Sequence, residues 1–184
     1  MKQQMFCFQC EQTAGCSGCT GKVGVCGKDV AKLQDELTGA LIGLARASDG
    51  RQMKESVHKV MIEGLFTTLT NVNFNEKTIL DQIERVRRER QNLIPGCSDC
   101  GSPCGKNEEY DMTRLWTDDA DIRSLKSLIL FGLKGVAAYA YHAMVLGYSD
   151  EEVNNFFYEG LFAVGEDWDM ELLLPVVMKV GEIN

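Results

Sequence analysis

Residues 29–48, DVAKLQDELTGALIGLARAS, carry the pattern that decides the fold. Apolar side chains recur there every three or four positions, which is the spacing that places them on one face of an α-helix. They are Leu33, Leu37, Ala40, Leu41 and Leu44. Asp29 stands where an N-cap is expected, and the turn-forming residues 48–50 follow. The segment therefore predicts an amphipathic helix that buries one face.

The same periodicity recurs on both sides of residues 95–119. Helical stripes occupy residues 57–68, 79–93, 122–140, 153–164 and 172–180, and no useful length alternates as a strand does. Helix starts are predicted near Asn75, at the acidic residues 118–121 and at a capping box of Ser149 and Glu152. Pro175 is expected to kink the last helix or to mark its start.

The order of these segments predicts an all-α protein of two three-helix bundles, each with its own core, and a cysteine-rich N-terminal loop. The loop is assigned to residues 1–28 and the first bundle to residues 29–94. Residues 95–119 are expected to be a cysteine-containing connecting loop, and residues 120–184 the second bundle.

Composition narrows the class of partner. The 184 residues carry a net charge of -8, which argues against binding to nucleic acid or to an anionic membrane. No apolar run approaches the roughly 20 residues of a membrane span, and the N-terminus lacks a secretory signal, so a cytoplasmic location is expected. The basic residues 85–90, RVRRER, are interpreted as a solvated helix face. The alternative is a docking patch for an acidic electron-transfer partner.

Eight cysteines are the informative feature of the composition, because they are clustered. Five lie between Cys7 and Cys26, and three lie between Cys97 and Cys104. Cytosolic thiols stay reduced, so clustered ones indicate metal binding or redox chemistry rather than a disulfide framework.

The N-terminal group consists of Cys7, Cys10, Cys19 and Cys26 in a glycine-rich segment. Four thiolates in one loop can converge on a cubane iron–sulfur cluster, and backbone N–H groups of the glycines can donate to its sulfurs. The spacing differs from the ferredoxin patterns, and it also lacks the two similar knuckles of a structural zinc site. From the residues alone an iron–sulfur cluster is favoured over zinc, which stays the alternative.

The segment around these cysteines, MFCFQCEQTAGCSGCTGKVGVCGK at residues 5–28, resembles the start of the hybrid cluster proteins, also called prismane proteins or hydroxylamine reductases. The matching positions are Phe6, Cys7, Gln9, Cys10, Glu11, Thr13, Cys19, Gly24, Cys26, Gly27 and Lys28. The likeness continues in GLFTTLTNVN at residues 64–73, in DIRSLK at residues 121–126 and in GLKGVAAYA at residues 132–140, followed by His142.

This resemblance implies a [4Fe-4S] cluster held by Cys7, Cys10, Cys19 and Cys26, with [2Fe-2S] as the variant found in some members. It also implies a helical N-terminal domain of two three-helix bundles in a cytosolic oxidoreductase. Such enzymes reduce hydroxylamine to ammonia, and nitric oxide is the proposed physiological substrate. Their hybrid Fe–S–O cluster is held by later domains. The chain is therefore expected to be an N-terminal piece without catalytic residues, which takes electrons from a redox donor and passes them to C-terminal catalytic domains.

Cys16, Cys97, Cys100 and Cys104 receive no family role. They are a hypothetical second four-thiolate metal site, and reduced or adventitiously oxidised thiols are the alternative. Two further functions stay open for the whole chain. One is a zinc-stapled structural or interaction module, and the other is a free-standing small electron carrier.

Overall fold

The structure is a computed structural model that describes residues 6–7, 9–10, 18–48, 50–94 and 108–184. Seven helices occupy this part of the chain: α1 Ala31–Ser48, α2 Glu55–Thr67, α3 Glu76–Leu93, α4 Met112–Thr117, α5 Ala120–Val145, α6 Glu151–Gly165 and α7 Met170–Ile183. The only extended pairing among these residues is an isolated antiparallel bridge between Cys7 and Cys19. The all-α prediction is confirmed.

Polar side chains fix several of the helix starts. Asn75 accepts a hydrogen bond from the backbone N–H of Thr78, as expected, and Asp119 caps α5 within the predicted acidic cluster. The predicted capping box is wrong, because the cap of α6 is Asp150 rather than Ser149. A carboxylate is favoured there, since it also complements the positive end of the helix dipole. Pro175 does not mark a start, because α7 begins five residues earlier at Met170.

The two helix triads share one core. α1, α2 and α3 pack on one another, as do α5, α6 and α7, and α1 also packs against α6 and α2 against α5. The buried apolar side chains of all these helices form one continuous cluster. The expectation of separate cores is therefore wrong, although the division of the chain into four segments stays a prediction.

α1 is the central helix, because it is buried on all sides between Leu37 and Ala45. Two glycines allow this close packing. Gly39 lies against the backbone carbonyl of Tyr110, and Gly43 faces the side chain of Arg90. The prediction that α1 buries only one face is therefore incomplete, because small residues outside the leucine stripe let other segments pack against the opposite face.

α5 is 26 residues long, and by length and composition it meets the criteria of a membrane span, with a mean hydropathy of 1.4 over its most apolar window. A third of that window is buried, against α2, α6 and α7. The sequence shows no uninterrupted apolar run of this length, because Lys134 lies within the apolar segment of α5.

The basic segment of α3 is only in part a solvated face, because Arg88 is exposed but the other three arginines form ion pairs. Arg87 donates to both carboxylate oxygens of Glu109, at 2.6 and 2.7 Å, and to Glu36 at 2.8 Å. Arg90 is buried beside Glu109, and Arg85 pairs with Glu63 at 2.7 Å. These arginines tie α3 to its neighbours, so the cations are engaged within the fold. Residues 108–119 of the predicted connecting loop include the short helix α4.

Candidate functional site

The four N-terminal cysteines line a single small cavity. Cys7, Cys10, Cys19 and Cys26 surround it with five further residues, which are Gln9, Gly24, Val25, Lys28 and Thr70. All four are free thiols; three are partly buried and Cys26 is exposed. The structure thus brings together residues that are up to 19 positions apart in sequence, and their assignment as ligands stays a prediction.

A backbone bridge fixes two of these cysteines. The N–H of Cys7 donates to the carbonyl of Cys19 at 3.0 Å, and the N–H of Cys19 donates to the carbonyl of Cys7 at 2.6 Å. Gly18 enters this bridge with a φ of 88°, a left-handed conformation that glycine adopts without strain. A Cβ at this position would lie 2.7 Å from the ring of Phe6 and 3.3 Å from the carbonyl of Cys7, so an added methyl group would displace the ring or the bridge.

A tight turn presents the fourth cysteine. The N–H of Gly27 donates to the carbonyl of Gly24 at 2.9 Å, and Gly27 has a φ of 86°. The N–H of Gly24 donates in turn to the carbonyl of Lys28 at 2.7 Å. Cys26 therefore lies within a closed backbone loop, whose shape two mutual hydrogen bonds maintain.

The body of the protein anchors the cavity from below. The hydroxyl of Thr70, just after α2, donates to the carbonyl of Gln9 at 3.2 Å. Lys28 is 1% exposed, and its ammonium donates to the side-chain carbonyl of Gln34 on α1 at 2.9 Å. The amide of Gln34 donates to the carbonyl of Asn73 at 3.1 Å. The cysteine segment is thus held against α1 and the end of α2.

A second buried lysine lies near this floor. Lys134 of α5 is 4% exposed, and its ammonium donates to the carbonyl of Thr68 at 3.4 Å. Burial lowers the pKa of Lys134 to about 8, while the charges of Asp35 and Cys7 act in the opposite direction. Lys28 adds to the lowering, because like charges repel. Lys134, Lys28, Asp35 and Cys7 therefore share one electrostatic environment.

Asp35 is the acidic member of this group. Burial raises its pKa to about 6, and the indole N–H of Trp116, which donates at 3.4 Å, opposes the shift. The positive charges of Lys134 and Lys28 oppose it as well. We call the four thiols that line the cavity the cysteine cup; Lys28 lines the same cavity, and the soft donors of the cup suit a thiolate-bound metal group.

Sequence reasoning found the thiols but assigned no role to the buried charges. Lys134 has a recognisable signal, because it lies in the apolar segment LFGLKGVAA with no acidic residue within four positions. Cys16, Cys97, Cys100 and Cys104, the hypothetical second site, lie outside the described residues. That hypothesis stays a prediction.

Comparison with known proteins identifies the family of the chain. Residues 5–184 match the profile of the Prismane/CO dehydrogenase family. A hydroxylamine reductase of Maridesulfovibrio salexigens is 39% identical over 197 residues, which cover 98% of this chain and 37% of the relative. One of Clostridium perfringens is 42% identical over 205 residues, with the same coverage. One of Methanocaldococcus jannaschii is 35% identical, covering 97% of this chain and 36% of the relative.

The chain therefore spans a little over a third of the length of the curated relatives that it matches. The resemblance to the hybrid cluster proteins is confirmed, and it extends over almost the whole chain. On this evidence the chain belongs to the Prismane/CO dehydrogenase family, whose proteins carry iron–sulfur clusters.

Proposed function

We propose that this chain is the iron–sulfur electron-transfer domain of a hydroxylamine-reducing oxidoreductase. Its cluster is of the [4Fe-4S] type, and the thiolates of Cys7, Cys10, Cys19 and Cys26 hold it. The observation that carries the proposal is the convergence of these four side chains on one cavity. The described residues that line the cavity include no histidine or carboxylate, so the metal-binding groups among them are thiolates.

Four thiolates suit either a cluster or a single zinc ion, so the family of the chain decides between them. Structural zinc takes four cysteines in tetrahedral geometry, with Zn–S bonds of about 2.3 Å. A cubane binds one thiolate at each of its four irons, so four cysteines around one cavity match it as well. The cluster is proposed because the chain belongs to a family whose proteins carry iron–sulfur clusters.

The protein's own residues enclose the cavity and leave it open on one side. The bridge between Cys7 and Cys19 and the turn that carries Cys26 fix the thiolates. Lys28, which donates to α1, and Thr70, just after α2, also line the cavity. Phe6, which precedes Cys7 in sequence, packs beside Trp116, with ring centroids 6.2 Å apart. Bound there, the cluster would supply one-electron transfer. Cys26 is exposed, so its side of the cup is where a redox partner comes nearest.

The wider assignment rests on the relatives. Those named hydroxylamine reductase match this chain over 97–98% of its length. We therefore propose that the electrons pass to a hybrid Fe–S–O cluster in C-terminal catalytic domains, where hydroxylamine is reduced to ammonia, with nitric oxide as a second substrate. A cytoplasmic redox protein is the proposed donor. Nucleic acid and membrane are not proposed as partners.

Cysteine replacement tests the ligand assignment. The Cys19→Ser variant, purified without oxygen, is expected to lose its iron or to show the absorption of a converted cluster. Cys97→Ser is the matched control, because it removes a thiol outside the proposed set, and it is expected to keep the iron content and spectrum of the wild type. An unchanged cluster in Cys19→Ser would remove Cys19 from the ligand set. Bound zinc and a colourless wild-type protein would instead indicate the zinc-stapled module.

A further inference from the structure

We infer that Lys28 and Lys134 are the buried counter-charges of the cysteine cavity, and that their positive charge makes reduction of a cluster bound there easier. This inference rests on the proposed function. Neither lysine is proposed as a metal ligand. Both are positioning residues, which act on the cluster through the electric field of their positive charge.

Three buried lysines differ in how their charge is balanced. Lys126 is 1% exposed, and its ammonium pairs with the carboxylate of Asp118 at 3.3 Å. Lys28 and Lys134 are equally buried, but each donates to a neutral carbonyl, at 2.9 Å to Gln34 and at 3.4 Å to Thr68. In the described part of the chain, neither of these two forms an ion pair with a carboxylate.

An ammonium buried without a carboxylate is unfavourable, and a negative charge nearby stabilises its charged form. Asp35 supplies part of that compensation, because it interacts electrostatically with both lysines. One carboxylate cannot balance two cations, however, and its oxygen already accepts from Trp116. Among the described residues, one positive charge is therefore left over.

The cavity is where the remaining negative charge belongs. Lys28 lines the cavity together with the four cysteines, and Lys134 donates to the carbonyl of Thr68, two residues before Thr70, which also lines the cavity. A cluster held by four thiolates is an anion, and one-electron reduction makes it more negative. Positive charges fixed beneath it stabilise the reduced form more than the oxidised form, because attraction grows with charge. The two lysines therefore raise the reduction potential.

The test is a redox titration of the full chain with its cluster, followed by EPR. Lys134→Met removes the charge and keeps most of the volume. At a fixed ambient potential it is expected to lower the ratio of reduced to oxidised cluster by about tenfold, which is about 59 mV for a one-electron couple. Lys134→Arg keeps the charge and is expected to titrate near the wild type.

Lys126→Met is the matched control, because it removes an equally buried lysine whose charge Asp118 balances. It is expected to leave the midpoint potential unchanged. If Lys134→Met does not fold, Lys28→Met provides the same measurement, with a shift in the same direction. A wild-type midpoint in the charge-removing variant, or an equal shift in Lys126→Met, would overturn the inference while leaving the cluster assignment intact. A wild-type chain without iron would overturn both.

Discussion

Replacing Gly18 by alanine tests how tightly the backbone holds the cysteine cavity. Gly18 has a φ of 88°, and an added Cβ would lie 2.7 Å from the ring of Phe6 and 3.3 Å from the carbonyl of Cys7. Gly27 provides a matched control. It has nearly the same φ, 86°, and follows the proposed ligand Cys26 directly, as Gly18 directly precedes Cys19. A Cβ at Gly27, however, would meet nothing within 4 Å.

The two substitutions share one energetic term and differ in another. A left-handed conformation costs an L-residue about 1–2 kcal/mol, and both variants carry that cost. Gly18→Ala adds overpacking against Phe6 and against the bridge, which costs typically about 1–3 kcal/mol. Each 1.4 kcal/mol corresponds to a factor of about ten in an equilibrium constant. The overpacking cost therefore makes the closed conformation of the cup at least about fivefold less populated in Gly18→Ala than in Gly27→Ala.

The assay is the rate at which a chelator removes iron from anaerobically purified protein, because opening of the cup precedes that loss. We expect Gly18→Ala to lose iron at least about fivefold faster than Gly27→Ala, which in turn loses it faster than the wild type. Equal rates in the two variants, or a wild-type rate in Gly18→Ala, would show that the bridge between Cys7 and Cys19 does not hold the site as described.

Three further predictions concern the helical body. Gly181→Ala is expected to stabilise the chain by about 0.8 kcal/mol in urea unfolding, because an added Cβ there would meet nothing within 4 Å. Gly132→Ala is expected to destabilise it by about 1–3 kcal/mol, because the added Cβ would clash with Val180 of α7. Stability changes of the same sign in both variants would contradict the packing of α5 against α7. Because burial raises the pKa of Asp35 to about 6, the folded state binds its proton more tightly than the unfolded state, so stability falls as pH rises from about 4 to 6. Asp35→Asn should lack that fall, roughly 2–3 kcal/mol in thermal unfolding, and an unchanged pH profile would contradict it. Arg87→Met removes the paired hydrogen bonds to Glu109 and is expected to cost about 1 kcal/mol, less at high salt; a loss that salt does not alter would contradict an electrostatic origin.

The fold class followed from the sequence because helical periodicity is a local property. Each predicted stripe became a helix, and Asn75 and Asp119 mark helix starts where short polar residues precede apolar ones. What the sequence did not reveal depends on tertiary packing. The burial of α1 on all sides required knowing that Tyr110 returns to Gly39, a contact between residues far apart along the chain.

The site divides in the same way. Cysteine spacing predicted the four thiols that line the cavity, because the residues lie close in sequence and have few other roles. The buried charges were missed since Lys134 reaches the site from α5, more than a hundred positions after Cys26. A lysine alone in an apolar segment indicates a buried cation, but only the fold identifies which anion it faces.

The most direct test is an iron, sulfide and zinc count on anaerobically purified wild-type protein, with EPR spectra before and after reduction. About four iron and four sulfide per chain, with a signal that appears on reduction, is the predicted result and would establish a redox-active [4Fe-4S] centre. One zinc per chain, no sulfide and no signal would contradict the proposed function, and the cysteine cup would then be a structural metal site.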